Sequence, residues 1–179
     1  GGGGGPSSGT SIAGAGGGCV RIVAASRVDV DGSILANGGL PTGTSQIGMG
    51  AGGSIWITTS RIGGAGEIRA DGGTTNGGNH AAGGGGRVSI EYDFVDPLAD
   101  LAGLRNVTAR GGDGFYADGA PGTVFLLRSD QMDGVFVADA GRASGTWAAE
   151  STLPEIGPGT ATAITADTLS GDGGRVFVP

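Results

Sequence analysis

The chain has 179 residues, of which 43 are glycine and only 7 proline, with 37% hydrophobic and 15% charged side chains. Glycine at this density without a Gly-X-Y period excludes collagen, and the apolar content is too high for a disordered polar linker, so the chain must bury an interior. A formal net charge of −7 excludes a nucleic-acid surface, since a phosphate backbone would be repelled over most of the molecule, and no apolar run is long enough to enter a bilayer.

The opening Gly1 to Gly5 has neither the charged nor the apolar region of an export signal, and the chain reads as a stretch of something longer, with any export signal or anchor expected outside it. The first strand pattern is Gly18-Cys19-Val20-Arg21-Ile22. Its lone thiol, Cys19, has no partner for a disulfide and reads as a small buried hydrophobe. Asp29-Val30-Asp31-Gly32 follows and resembles the start of an oxygen-rich cation loop. Asp29 and Asp31 are therefore the expected ligands of a structural calcium, the one cofactor this sequence suggests, although a twelve-residue loop closing on a bidentate Glu is missing.

A second pattern, Ile34-Leu35-Ala36-Asn37-Gly38-Gly39, comes next, and both patterns then recur. The first returns as Gly53-Ser54-Ile55-Trp56-Ile57, Gly86-Arg87-Val88-Ser89-Ile90 and Gly122-Thr123-Val124-Phe125-Leu126, with starts separated by 35, 33 and 36 residues. The second returns as Ile68 to Gly73, as Val107 to Gly112, and in degenerate form as Val135 to Gly141. Glycine-rich loops such as Gly77 to Gly86 join the units. Turns are the simple reading of these loops; the alternative is that Ala81 to Gly86 forms an extended polyglycine helix whose bare backbone approaches its neighbours closely.

Helical signals are confined to residues 96–104, where Asp96 caps and Pro97 opens the first turn of one short inserted helix. After Gly141 the pattern loosens through Trp147, Leu153-Pro154 and Gly157-Pro158-Gly159, then resumes in Ala161 to Ala166 and Arg175 to Val178. Residues 1–179 thus read as a single segment, with regular repeats over 14–141 and divergent coils over 142–179.

Alternation places Val20 and Ile22, Ile55 and Ile57, Val88 and Ile90, and Val124 and Leu126 on one side of their strands, with Arg21, Trp56, Ser89 and Phe125 on the other. No unit can bury its apolar face alone. Stacking equivalent strands about 4.8 Å apart forms an aliphatic column in which each buried side chain contributes roughly 1.5–3 kcal/mol. The expected fold is all-β, a right-handed parallel β-helix (β-solenoid) with glycine-rich loops.

Outside the column, Trp56 and Phe125 occupy equivalent positions and are the expected contacts for a sugar ring or a neighbouring subunit. Polysaccharide hydrolysis would need two carboxyls about 5–10 Å apart. Asp29 with Asp31, and Asp93 with Asp96, are the available pairs, but neither has a nearby His or Lys, the only histidine being His80 in a loop. A β-eliminating lyase needs a cationic base, and Arg21, Arg61, Arg69 and Arg87 fall where an outward face carries charge in any case. Solvated turn carboxylates and no catalytic residues are the resulting expectation.

The order GGSIWITTSRIGGAGEIRADGG, then GGGGRVSIEY, then GAPGTVFLLRSD with GVFVADAGR, resembles the repetitive β-helical regions of large bacterial surface proteins of the adhesin and autotransporter-passenger type. The resemblance covers about Gly14 to Gly141. It implies an exported, extracellular or cell-surface scaffold without catalytic residues, structural or adhesive in role and able to form a fibre. Self-association or a surface glycan or protein ligand would be its partnership. The alternative from another class is a carbohydrate-active or carbohydrate-binding β-helix. The sequence departs from the pattern in glycine loops longer than a minimal β-helix needs.

Overall fold

A computed structural model describes residues 11–43, 47–75, 80–95, 107–128, 133–139, 150–152, 168–172 and 175–177. Regular structure among them is all β, without a helix; the expected helix at 96–104 lies outside the described residues. Four long strands lie side by side and parallel: β1 (Cys19–Asp29), β3 (Ser54–Gly63), β5 (Arg87–Val95) and β7 (Gly122–Arg128). Three short ones, β2 (Ser33–Leu35), β4 (Glu67–Arg69) and β6 (Val107–Thr108), form a second parallel sheet. Each of the first three units therefore sends one strand to each sheet.

The register reproduces the sequence repeat. Val20, Ile55, Val88 and Val124 are mutual neighbours in one row, and Ile22, Ile57, Ile90 and Leu126 in another. In the second sheet Ile34, Ile68 and Val107 align. The inward faces of both sheets meet in one apolar cluster, whose centre (Ile57, Ile62, Ile68, Val88 and Ile90) is fully buried. Strand alternation places Ile57, Val88 and Ile90 inward, because a period of two commits every second residue to the same side. Ile62 is inward because the alternation of β3 breaks at Ser60 and Arg61, where the pairing with β1 also shifts register.

Cys19 is exposed, which corrects the expectation of a buried thiol. It precedes Val20, whose side chain packs against the core, so alternation turns Cys19 outward together with Arg21.

The glycine-rich stretches are extended segments held by hydrogen bonds that recur every third residue. Met49 and Gly52 donate to the carbonyls of Ala81 and Gly84, and Ala82 and Gly85 donate to those of Ala117 and Ala120. A second set crosses the coil in the opposite sense: Gly83 and Gly86 donate to Gly73 and Ala70, and Gly119 and Gly122 donate to Gly112 and Ala109. A step of three equals the three residues per turn of a polyproline-type helix, the periodicity that the polyglycine alternative for 81–86 calls for. Side chains are excluded by contact. A Cβ on Gly83 would overlap the Gly50 carbonyl, and one on Gly52 the Ala70 carbonyl. The interior thus combines an aliphatic cluster with glycine backbone packed on backbone.

The fourth unit departs from the repeat. Val135 to Gly141 was expected to continue the second landmark, but β8 (Asp133–Asp139) turns back antiparallel on β7 and joins the first sheet. β10 (Thr168–Asp172) then pairs parallel with β8, while β9 (Glu150–Thr152) and β11 (Arg175–Phe177) form a separate pair. β11 falls within the expected Arg175 to Val178 strand. Trp147, Leu153, Pro154, residues 157–159 and Ala161 to Ala166 lie outside the described residues.

Candidate functional site

Several surfaces of the described residues carry side chains that the core does not use. The first is the outer face of the long-strand sheet. Arg21, Trp56, Ser89 and Phe125 form one row across β1, β3, β5 and β7. Trp56 is 48% exposed and Phe125 half-buried. The Arg21 guanidinium lies over the Trp56 ring, 5.1 Å from its centroid, a cation–π contact that fixes the indole from the β1 side. The two expected aromatics are therefore not stacked on each other; Ser89 lies between them. The adjoining row is Cys19, Ser54, Arg87 and Thr123, so a guanidinium sits next to the serine between two hydroxyl residues.

The second surface is a groove of about 490 Å³ along the short-strand sheet, lined by Asn37, Leu40, Arg69, Asp71, Thr74 and Arg110 among others. Asn37, Asp71 and Arg110 are equivalent positions of consecutive units. The Asn37 Oδ1 accepts the Asp71 N–H at 2.8 Å, and the Asp71 Oδ1 accepts the Arg110 N–H at 2.8 Å. The other Asp71 oxygen takes the Arg69 Nε and Nη2 at 2.9 and 2.8 Å. This bond, more than the nearby charges, raises the Arg69 pKa above the ordinary arginine value against the opposing effect of burial. Asp71 is buried and engaged at both oxygens, so it ties coils together and is not available as a base. In the sequence Asp71 is distinguished only as part of a repeat.

The third surface is the corner after β1. Asp29 pairs with Arg27 from its own strand, and Asp31 Oδ1 accepts the Ala65 N–H at 3.4 Å. Among the described residues no three His, Cys, Asp or Glu side chains converge in a way that would hold a metal ion. The second carboxylate pair is incomplete here, since Asp96 lies outside the described residues. His80 is tied into the loops: its Nδ1 accepts the Ile47 N–H at 3.2 Å, and its carbonyl accepts the N–H groups of Phe115 and Tyr116. Those two rings, both exposed, form an edge-to-face pair with centroids 5.3 Å apart, a second aromatic patch that the sequence pattern did not single out.

No known protein family, curated protein or solved structure matches this chain. No helix among the described residues is long and apolar enough to cross a membrane.

Proposed function

We propose that this chain is a coil segment of a right-handed parallel β-helix, serving as a non-catalytic structural and adhesive scaffold in an exported, cell-surface protein. The observation that carries this reading is that the recurring positions hold one unit to the next. Aliphatic residues fill in-register rows, glycines permit backbone contact, and the Asn37–Asp71–Arg110 ladder links three units through side-chain-to-backbone bonds. Stacked repeats of this kind propagate in one dimension and present a long, regular outer surface, the property a spacer or fibre requires.

Small-angle scattering and analytical ultracentrifugation of the purified chain, with binding to cells and to itself, test the proposal. An elongated particle that self-associates or attaches to a surface ligand is expected. A compact monomer that binds neither itself nor any surface overturns it. Release of unsaturated or reducing ends from an acidic polysaccharide, lost in Asp29→Asn or Asp31→Asn, would instead assign the chain to polysaccharide-cleaving enzymes.

A further inference from the structure

We infer that β1 is a docking edge for a second copy of this chain, the two copies pairing antiparallel through β1 about a two-fold axis at Ala25. The inference rests on the self-association in the scaffold reading and names the surface that carries it.

The stack of units is open at β1. Among the described residues no strand meets the outer edge of β1, which is 11 residues long and has neither proline nor lysine. Such an edge offers a row of backbone N–H and C=O groups to any strand that fits. Its inward residues Val20, Ile22 and Val28 pack against the core yet are only partly covered, whereas their register neighbours Ile55, Ile57 and Ile62 on β3 are at most 1% exposed. The β3 row is covered on this side by a strand with aliphatics at alternate places, and the β1 row lacks the equivalent. Residues 1–10 contain no Val, Ile or Leu and cannot supply it. Farther along the sheet the same rows take an antiparallel strand, with Val137 paired to Val124 and Val135 to Leu126.

The residues of β1 are complementary to themselves. Inward positions must meet inward positions, since a slip of one residue would turn every aliphatic outward. In the register centred on Ala25, Val20 faces the partner's Val30 and Ile22 faces the partner's Val28. On the outer face Arg21 falls opposite the partner's Asp29. The Arg21 guanidinium lies over Trp56 and meets no carboxylate among the described residues, so its charge is uncompensated within the chain. The two-fold axis makes each of these pairs twice. A slip of two residues in one direction sets Arg21 against the partner's Arg27, and in the other sets Val20 against the partner's Gly32, outside the strand. The irregularity of β1 between Ala24 and Arg27 falls on the axis, so residues 20–23 pair with residues 27–30 along regular stretches. A contact of this symmetry closes at two copies. In the dilute single chain Ile22 has β3 alone beside it; pairing adds the second neighbour.

Sedimentation equilibrium of the whole chain, combined with disulfide trapping, provides the test. A monomer–dimer equilibrium with a Kd of about 1–100 μM and no larger species is expected for so small a contact. In a Cys19→Ser background, Ala25→Cys places two thiols on the axis, where opposed Cα atoms are about 4.5–5.5 Å apart and a disulfide can form. Val23→Cys leaves them about 14 Å apart, four residues out of step. Both positions are exposed, so neither substitution disturbs the core. Oxidation in a glutathione buffer is expected to link the Ala25→Cys chains at least about tenfold more than the Val23→Cys chains. Asp29→Arg sets like charges opposite each other twice and weakens the dimer about tenfold, and combining it with Arg21→Asp restores pairing. A monomer at every concentration, an open series of larger species, equal linking of the two cysteine variants, or an undiminished dimer in Asp29→Arg overturns the assignment. Scattering separates the two readings: an elongated monomer that attaches to a surface ligand removes only the pairing, and a trapped dimer of compact chains removes only the scaffold.

Discussion

Ile57 lies directly beside Ile22 in the parallel register, yet Ile57 is 0% exposed while Ile22 is only partly covered. The difference is positional: Ile57 has a strand on both sides, whereas β1 is at the edge of its sheet. Ile57→Ala is expected to cost about 2–5 kcal/mol, the range for a large-to-small change at a site that cannot collapse. Ile22→Ala should cost clearly less. Urea midpoints at constant slope measure both, and equal losses would mean that β1 is covered in solution by another strand.

Asp71→Ala leaves the Arg110 N–H and the Arg69 guanidinium without their acceptor and should destabilise by about 2–3 kcal/mol, with Asn in the same place costing about half as much because one oxygen remains. Partial exposure of Arg69 keeps the ionic share of this loss small. Because pairing raises the Arg69 pKa, its contribution is fully present below the pH at which unfolded arginine titrates and is lost only as pH rises through the still higher folded value. Thermal unfolding of the parent chain and Asp71→Ala should therefore differ by a constant amount between neutral and moderately alkaline pH as far as Arg69 is concerned.

Gly83 and Gly18 should respond oppositely to alanine. At Gly83 a Cβ meets the Gly50 backbone, which cannot move without breaking the neighbouring coil, and a loss of more than about 3 kcal/mol is expected. Gly18 has nothing within 4 Å of its Cβ position, so Gly18→Ala should be neutral or stabilise by up to about 1 kcal/mol through the unfolded chain. Circular dichroism melts distinguish the pair; a neutral Gly83→Ala would contradict the close backbone packing.

At the corner after β1, Asp29 is occupied by Arg27 and Asp31 by a backbone N–H. Calcium at millimolar concentration is therefore expected to leave Tm unchanged, and EDTA likewise. A rise in Tm with calcium that disappears in Asp29→Asn or Asp31→Asn would establish the corner as a cation site.

Local alternation determined which residues face inward: Val20, Ile55, Val88 and Val124 fall in one row because a period of two leaves no other choice once their strands align. The repeat spacing of 35, 33 and 36 residues likewise anticipated the register of β1, β3, β5 and β7. Even the polyglycine packing left a signal, in glycines three apart at Gly50 and Gly53, Gly83 and Gly86, and Gly119 and Gly122. The Phe115–Tyr116 pair was not legible, because the His80 carbonyl that holds both backbone N–H groups lies some 35 residues earlier in the chain. Nor was the reversal of β8: Val135 to Asp139 alternates equally well in either direction, and strand polarity is fixed only by which edge is open when the chain returns. Asp71 resembles a surface aspartate in sequence and becomes a buried tie only when its neighbours' backbones arrive. Periodicity is a property of adjacent residues, so the sequence alone determines it. Contacts across strands depend on which segments the folded chain brings side by side, and only the tertiary structure decides those.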